Sequence, residues 1–375
     1  MKRSLKISFC GGGTGGHLFP ALNIAQAASE RWDCSFLFFG TQNGIEAQKV
    51  PEAGYEIVYL PITGIQRRFT LQNFAVPFKL WKSISISKKS LRAFKPDLVI
   101  GTGGYVMGPV LIAAHRLNIP IVLQEQNSYP GITSRKTAKT TDLIFTAYKE
   151  AARYLKAGKA KIIESGNPIS HRRPAERGEI FKFFGMDESK AVILAFGGSQ
   201  GAANINRALL KILTDRILPE GWQLLWQTGI NEFERIQELV NQRQIQDVHP
   251  VPFIDRMTDA YSIAEFAVCR AGAMTLSELM AAGLPAVLVP YPYAAADHQY
   301  KNAQVLLDHQ AALVIRDNQE LEENLSRAVL HLTGSKDIVK QLAVNIAAMH
   351  KKDTMKIILD SIEDLLEQKK KAAQN

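Results

Sequence analysis

The run Ile7-Ser8-Phe9-Cys10-Gly11-Gly12-Gly13-Thr14-Gly15-Gly16-His17 decides the fold. A short apolar strand pattern ends in glycines, and a helical run, Pro20–Ser29, follows at once. Such a loop can lay backbone N–H groups and the positive end of a helix against an anion or a developing negative charge. Working outward, further strands are expected at Ser35–Gly40, Glu56–Ile62, Leu98–Gly101, Ile119–Gln124 and Leu143–Thr146, with helix-length segments between them. Strand and helix in alternation predict parallel βαβ units, right-handed crossovers, and ligands gathered at the carboxyl ends of the strands. The pattern begins again with Ala191–Phe196, Leu224–Gln227, Val248–Phe253, Phe266–Cys269, Pro285–Val289 and Ala312–Ile315. The fold class is therefore α/β, with two Rossmann-like parallel-sheet domains facing an interdomain cleft.

With 375 residues, 46% of them hydrophobic, the chain exceeds one ordinary core and can build two. The boundary is expected at Ser165-Gly166-Asn167-Pro168, where a strand ends in turn-forming residues, giving domains 1–165 and 166–339. Helical apolar spacing over about 340–368 predicts a terminal helix, followed by the solvated run Lys369-Lys370-Lys371. Cys10, Cys34 and Cys269 form no CxxC pair and no disulfide framework, which points to a reducing cytoplasm. Met1–Lys6 runs directly into a strand pattern, and no apolar run approaches the ~18–20 residues that span a bilayer, so neither secretion nor membrane insertion is expected. Residues 1–165 hold 22 Lys and Arg against 10 Asp and Glu, and residues 166–375 hold 23 against 26. The net charge of +9 thus belongs to the first half, where nucleic acid, an anionic membrane or plain solvent are the partners that charge alone allows.

Gly11, Gly13 and Gly16 satisfy G-x-G-x-x-G, yet the second strand ends in Phe39-Gly40-Thr41-Gln42 and offers no acidic residue for an adenine ribose, which argues against NAD. Two more glycine loops, Gly101-Thr102-Gly103-Gly104-Tyr105 and Gly197-Gly198-Ser199-Gln200-Gly201-Ala202, also end strands. Three such loops argue for a large phosphate-bearing ligand, and none has the P-loop form G-x-x-x-x-G-K-[ST]. His17 is a candidate general base, because the positive end of a helix disfavours an imidazolium; the alternative is a ring that only hydrogen-bonds the loop backbone.

Taken together, Gly12–His17, Gly103-Gly104-Tyr105-Val106 with Gly108-Pro109, Glu125-Gln126-Asn127, Gly166-Asn167-Pro168, Gly197–Ala202 and the string Cys269–Glu278 resemble the bacterial MurG glycosyltransferases. The resemblance runs in order over about residues 5–320. It implies a GT-B fold whose terminal helix returns to the first domain, and an enzyme of peptidoglycan synthesis. The implied reaction is inverting transfer of N-acetylglucosamine from UDP-N-acetylglucosamine to undecaprenyl-pyrophosphoryl-MurNAc-pentapeptide (lipid I), giving lipid II. It assigns donor binding to Thr14, Gly15, Gly16, Asn127, Ser199 (diphosphate), Ile254 (uracil), Met274, Thr275, Leu276, Ser277, Glu278 (ribose) and Gln299 (sugar). Acceptor binding falls to Gly103, Gly104, Tyr105 and Glu125. Many relatives carry an Arg directly after Gly-Asn-Pro-x; here that place is Ser170, followed by His171, Arg172 and Arg173, which puts that diphosphate clamp in question.

No D-x-D motif occurs, and no His, Cys or Asp cluster has metal-ligand spacing, so no metal and no cofactor are expected, with amides stabilising the UDP leaving group instead. The segment from Arg67, Arg68 and Phe69 through Phe74, Phe78, Leu80, Trp81 and Lys82 to Lys88 and Lys89 mixes aromatic and basic residues. That composition suits a peripheral, anionic membrane face, with an amphipathic core helix as the plainer reading; the resemblance implies the cytoplasmic face of the inner membrane, no nucleic acid, and cell-wall synthesis proteins as further partners. Two rivals share the fold's logic: a UDP-GlcNAc 2-epimerase, and a catalytically silent UDP-sugar-binding protein.

Overall fold

The computed structural model describes residues 2–64, 76–170, 172–198 and 201–374. It divides into two compact units, Met1–Ser170 with Lys351–Asn375, and His171–His350. The first unit is built on seven parallel strands: β1 (Ser4–Gly11), β2 (Asp33–Gly40), β3 (Glu56–Tyr59), β4 (Leu98–Gly103), β5 (Ile121–Glu125), β6 (Leu143–Thr146) and β7 (Lys161–Glu164). Their order is β3-β2-β1-β4-β5-β6-β7, so the winding reverses between β1 and β4. β4 and β5 are buried along their whole length, because helices cover both faces of the sheet. One layer packs Phe9, Ile24, Phe38 and Ile100 with Ile358 and Ile362; the other packs Phe39, Val99, Val110 and Leu123.

The second unit repeats the plan with β8 (Ala191–Phe196), β9 (Trp222–Gln227), β10 (Val248–Val251), β11 (Ala264–Cys269), β12 (Ala286–Leu288) and β13 (Ala312–Val314). The order β10-β9-β8-β11-β12-β13 reverses between β8 and β11. Trp226 is fully buried and donates its indole N–H to Asn206 Oδ1 at 3.1 Å, so its polar atom is satisfied inside the core.

Two expectations are corrected. The first unit extends to Ser170 rather than ending at 165, because Asn167 and Pro168 are tied into it: Gln124 Nε2 donates to Asn167 Oδ1 at 2.9 Å, and Asn23 Nδ2 to the Pro168 carbonyl at 2.8 Å. The terminal helix expected over 340–368 is two helices, Lys336–Ala348 in the second unit and Thr354–Gln374 in the first. The polar run His350–Asp353 offers no apolar residue to hold a helical stripe, and Thr354 Oγ donates to the Ser165 carbonyl at 2.6 Å where the chain rejoins the first unit. There the last helix lays Ile358, Ile362 and Leu366 into the core, while Arg31 pairs with Asp360 and Glu363.

The aromatic-basic segment is described from Val76 onward, where it forms the helix Val76–Phe94; Arg67, Arg68, Phe69 and Phe74 lie outside the described residues. The residues this helix buries fully are Ser83, Ser87 and Leu91, one turn apart. Small serines let the backbone approach its neighbour, and the large side chains go elsewhere: Phe78 and Trp81 are 65% and 67% exposed, with ring centroids 6.2 Å apart.

Candidate active site

Each sheet gathers its glycine loops where its winding reverses, at the carboxyl ends of adjacent strands. In the first unit the helix Gly15–Arg31 begins inside the glycine run, earlier than Pro20, so His17 stands on its first turn with its N–H donating to the Thr14 carbonyl at 3.2 Å. Thr14 is the N-cap in extended conformation, and Gly15 and Gly16 supply the next amides. The His17 ring is held from the end of β4: Nδ1 lies 3.2 Å from the Thr102 carbonyl and 3.1 Å from Gln126 Oε1. A carbonyl only accepts, so Nδ1 carries the hydrogen and the neutral ring keeps its lone pair on Nε2.

Gln126 is itself fixed. Its Nε2 donates to the Thr102 carbonyl at 2.8 Å, to the Gln124 carbonyl at 3.0 Å and to Gln124 Oε1, which turns Oε1 toward the histidine. The amide chain continues from Gln124 to Asn167, whose Nδ2 donates back to the Gln126 carbonyl at 3.2 Å. Gly103 has φ of +110°, and a Cβ there would sit 2.4 Å from His17 Nδ1, so only glycine lets β4 approach the ring. Gly104 opens the next helix, and the Tyr105 ring lies beside Gly13.

Glu125 and Asn127 close the same corner. Glu125 is 2% exposed; its Oε1 accepts from the Asn127 amide and from Asn127 Nδ2, both at 3.0 Å, and its Oε2 accepts from Gly131 N–H at 3.2 Å. Its carboxylate is spent on shaping the loop after β5. The structure therefore brings His17, Thr14, Gly15, Gly16, Gly103, Gly104, Tyr105, Glu125 and Asn127 to one edge of one sheet.

In the second unit the turn after β8 is tight: Gly201 has φ of +77°, and a Cβ there would meet the Thr228 carbonyl at 2.2 Å. Ser199 lies outside the described residues. Gln227 joins this turn to the uracil candidate, since its Nε2 donates to the Gly198 carbonyl at 2.8 Å and its Oε1 accepts from Ile254 N–H at 2.9 Å. Met274, Thr275, Leu276, Ser277 and Glu278 fall in the first turns of the helix Ala273–Ala282, where Met274 and Leu276 are buried and Ser277 Oγ donates to the Ala273 carbonyl at 3.1 Å. Glu278 accepts from the Tyr261 hydroxyl at 2.9 Å. Burial raises the Glu278 carboxyl above the usual range, and the Tyr261 hydrogen bond pulls the other way. Gln299 Oε1 accepts from Tyr291 N–H at 2.9 Å, just after Ala296 and Asp297, two residues held at positive φ.

Sequence reading assigned no role to the supporting residues, although Arg270 and Gln126 stand inside strings that carry the resemblance. Arg270 forms an ion pair with the buried Asp317 at 2.8 Å and donates to the Val289 carbonyl at 3.0 Å, while Asn204 Nδ2 donates to Asp317 Oδ1 at 2.8 Å. These contacts tie the ends of β11, β12 and β13 to the helix after β8. Gln126 lies in the string Glu125-Gln126-Asn127 without an assigned role, and Gln227 and Asp317 carry no motif, because each acts through partners distant in sequence. Among the described residues, no three His, Cys, Asp or Glu side chains are grouped as a metal ion requires, and no helix is long and apolar enough to cross a membrane.

The glycosyltransferase family 28 N-terminal domain matches residues 7–146, and the family's C-terminal domain matches residues 192–358. A Porphyromonas gingivalis protein named UDP-N-acetylglucosamine--N-acetylmuramyl-(pentapeptide) pyrophosphoryl-undecaprenol N-acetylglucosamine transferase is 38% identical over 379 residues, covering 98% of this chain and 97% of its own. The crystal structure of Acinetobacter baumannii MurG is similar at 28% identity and a TM-score of 0.76, over 96% of this chain and 99% of that one. A UDP-GlcNAc 2-epimerase from Neisseria meningitidis, bound to UDP-GlcNAc, aligns with a TM-score of 0.66 over 96% of this chain and 100% of its own; at 14% identity that likeness is one of fold alone.

Proposed function

The chain belongs to glycosyltransferase family 28, and from that premise we propose that it transfers N-acetylglucosamine from UDP-N-acetylglucosamine to N-acetylmuramyl-(pentapeptide) pyrophosphoryl-undecaprenol. The observation that carries this reading is the correspondence to a transferase of that name along nearly the whole of both chains. The product is lipid II, the peptidoglycan precursor.

In the reaction an acceptor hydroxyl attacks the anomeric carbon, the carbon–oxygen bond to UDP breaks, and the hydroxyl proton passes to His17 Nε2. Direct displacement inverts the anomeric centre. The fixed tautomer of His17 supports its role as base, since the lone pair is already on the nitrogen that must accept. Glu278 takes the ribose hydroxyls, Ile254 the uracil and Gln299 the sugar, with Thr14, Gly15, Gly16 and Asn127 completing the donor set. The amides that open the helix Ala273–Ala282, the flanking Met274, Thr275, Leu276 and Ser277, and the turn holding Ser199 stabilise the charge growing on the diphosphate without a divalent ion. Gly103, Gly104 and Tyr105 receive the acceptor, and Glu125 acts by holding their neighbouring loop in shape.

The exposed Phe78–Trp81 pair, flanked by Lys79 and Lys82, serves as a peripheral contact with an anionic membrane surface on the cytoplasmic side, where the acceptor resides. Incubation with radiolabelled UDP-GlcNAc and a lipid-linked acceptor separates this reading from its rivals. Label should enter the lipid fraction. Epimerised sugar nucleotide without lipid product, or bound donor without turnover, would refute it.

A further inference from the structure

Glu46 opens the short helix Glu46–Glu52 after β2, in no sequence motif, and is 1% exposed. A carboxylate that deep is tolerated only where hydrogen bonds replace its water, and here three do. Oε2 accepts from Gly13 N–H at 2.9 Å, and Oε1 accepts from the Thr41 amide and from Thr41 Oγ, both at 2.9 Å. Three glycines make room for it: a Cβ on Gly12 would come within 2.6 Å of the carboxyl carbon, one on Gly40 within 2.4 Å of Cγ, and one on Gly44 within 2.2 Å of Oε2. The loop after β1 and the loop after β2 are thus moulded around one side chain. Within the loop itself, Thr14 makes no side-chain cap and Gly11–Gly13 have no side chains, so the Glu46 bond to Gly13 comes from outside it.

We infer that Glu46 is a positioning residue for the transfer reaction: from inside the fold it fixes Gly13 and so sets where the helix bearing His17 begins. This rests on the reading of His17 as the base. Glu46→Gln keeps the volume but turns an amide NH2 toward either Gly13 N–H or Thr41 N–H, donor against donor, so one of the three bonds becomes a repulsion. The test compares Glu46→Gln, His17→Ala and the double variant by kcat on a lipid-linked acceptor, by UDP affinity in titration calorimetry, and by Tm. A loop displaced by a fraction of an ångström should lower kcat about 10–100-fold. UDP affinity should fall less than kcat does, because Ile254, Glu278 and Gln299 belong to the other unit and only Thr14, Gly15 and Gly16 of the donor set follow Gly13 in the loop. In the His17→Ala background the same substitution should cost less than about three-fold, since it acts through the histidine.

A folded Glu46→Gln enzyme with wild-type kcat, beside a slow His17→Ala, overturns this inference alone. So does an equal loss in both backgrounds, or a parallel loss of UDP affinity. Wild-type kcat in His17→Ala instead overturns the base on which it rests. Should Glu46→Gln fail to fold, Thr41→Val carries the test: it removes one hydroxyl donor, should lower kcat about 2–10-fold at unchanged UDP affinity, and overturns the inference if kcat is unchanged.

Discussion

Replacing Tyr261 with Phe isolates one hydrogen bond in the donor site. Tyr261 is 7% exposed, and its ring packs 6.0 Å from Phe196, a contact that Phe preserves. What is lost is the hydroxyl that donates to Glu278 Oε2 at 2.9 Å. A hydrogen bond to a charged group contributes about 1.5–3 kcal/mol, and about 1.4 kcal/mol corresponds to one pH unit of protonation equilibrium. Burial already raises the Glu278 carboxyl, and the Tyr261 bond opposes it, so losing that bond moves the carboxyl further up. The sign follows: if the ionised carboxylate holds the ribose hydroxyls, UDP binding weakens as pH falls, and in Tyr261→Phe it weakens at a higher pH than in wild type. Calorimetric titration with UDP between pH 5.5 and 8.5, roughly the range over which such a shift reads out, should show the two Kd curves converging at the alkaline end and separating by about ten-fold or more toward the acid end. Superimposable curves would refute the assignment of Glu278 to the donor. A uniform loss across the range would mean that Tyr261 supports the helix rather than the charge.

Three further outcomes are expected. His17→Ala should lower kcat by about 10²–10⁴-fold with little change in UDP affinity, and a preserved kcat in steady-state assays would require another proton acceptor. EDTA should leave initial rates nearly unchanged, whereas a large loss reversed by Mg²⁺ or Mn²⁺ would contradict a leaving group stabilised by amides. Joint replacement of Phe78 and Trp81 by Ser removes two side chains that are about two-thirds exposed, or about 2–4 kcal/mol of apolar transfer; co-sedimentation with anionic liposomes should fall steeply while turnover of a water-soluble acceptor persists, and undiminished sedimentation would reject that face.

Sequence alone determined the fold class and the loops that matter. Apolar runs of strand length alternating with helical spacing admit few arrangements other than parallel βαβ units, and glycines immediately after strands mark where backbone must come close to a ligand. The Gly11–Gly13 loop with His17, the Gly101–Tyr105 loop and the Cys269–Glu278 string were legible because their chemistry is local in the chain. The tertiary structure decided which of them meet. Only the strand order β3-β2-β1-β4 shows that the loop after β1 faces the loop after β4, and only β9-β8-β11 brings the end of β8 beside the strand that leads into the helix bearing Glu278. Gln126, which orients the histidine, stands in a string that carries the resemblance but with no role assigned, and Glu46, which shapes its loop, reads in the chain as an ordinary helix glutamate. Their roles arise from hydrogen bonds to residues 109 and 33 positions away, and no local pattern of hydropathy or spacing encodes a contact of that kind. The break at His350–Asp353 is half legible: the polar run breaks the apolar stripe in the sequence, while the docking of Thr354 against Ser165 settles where the last helix begins.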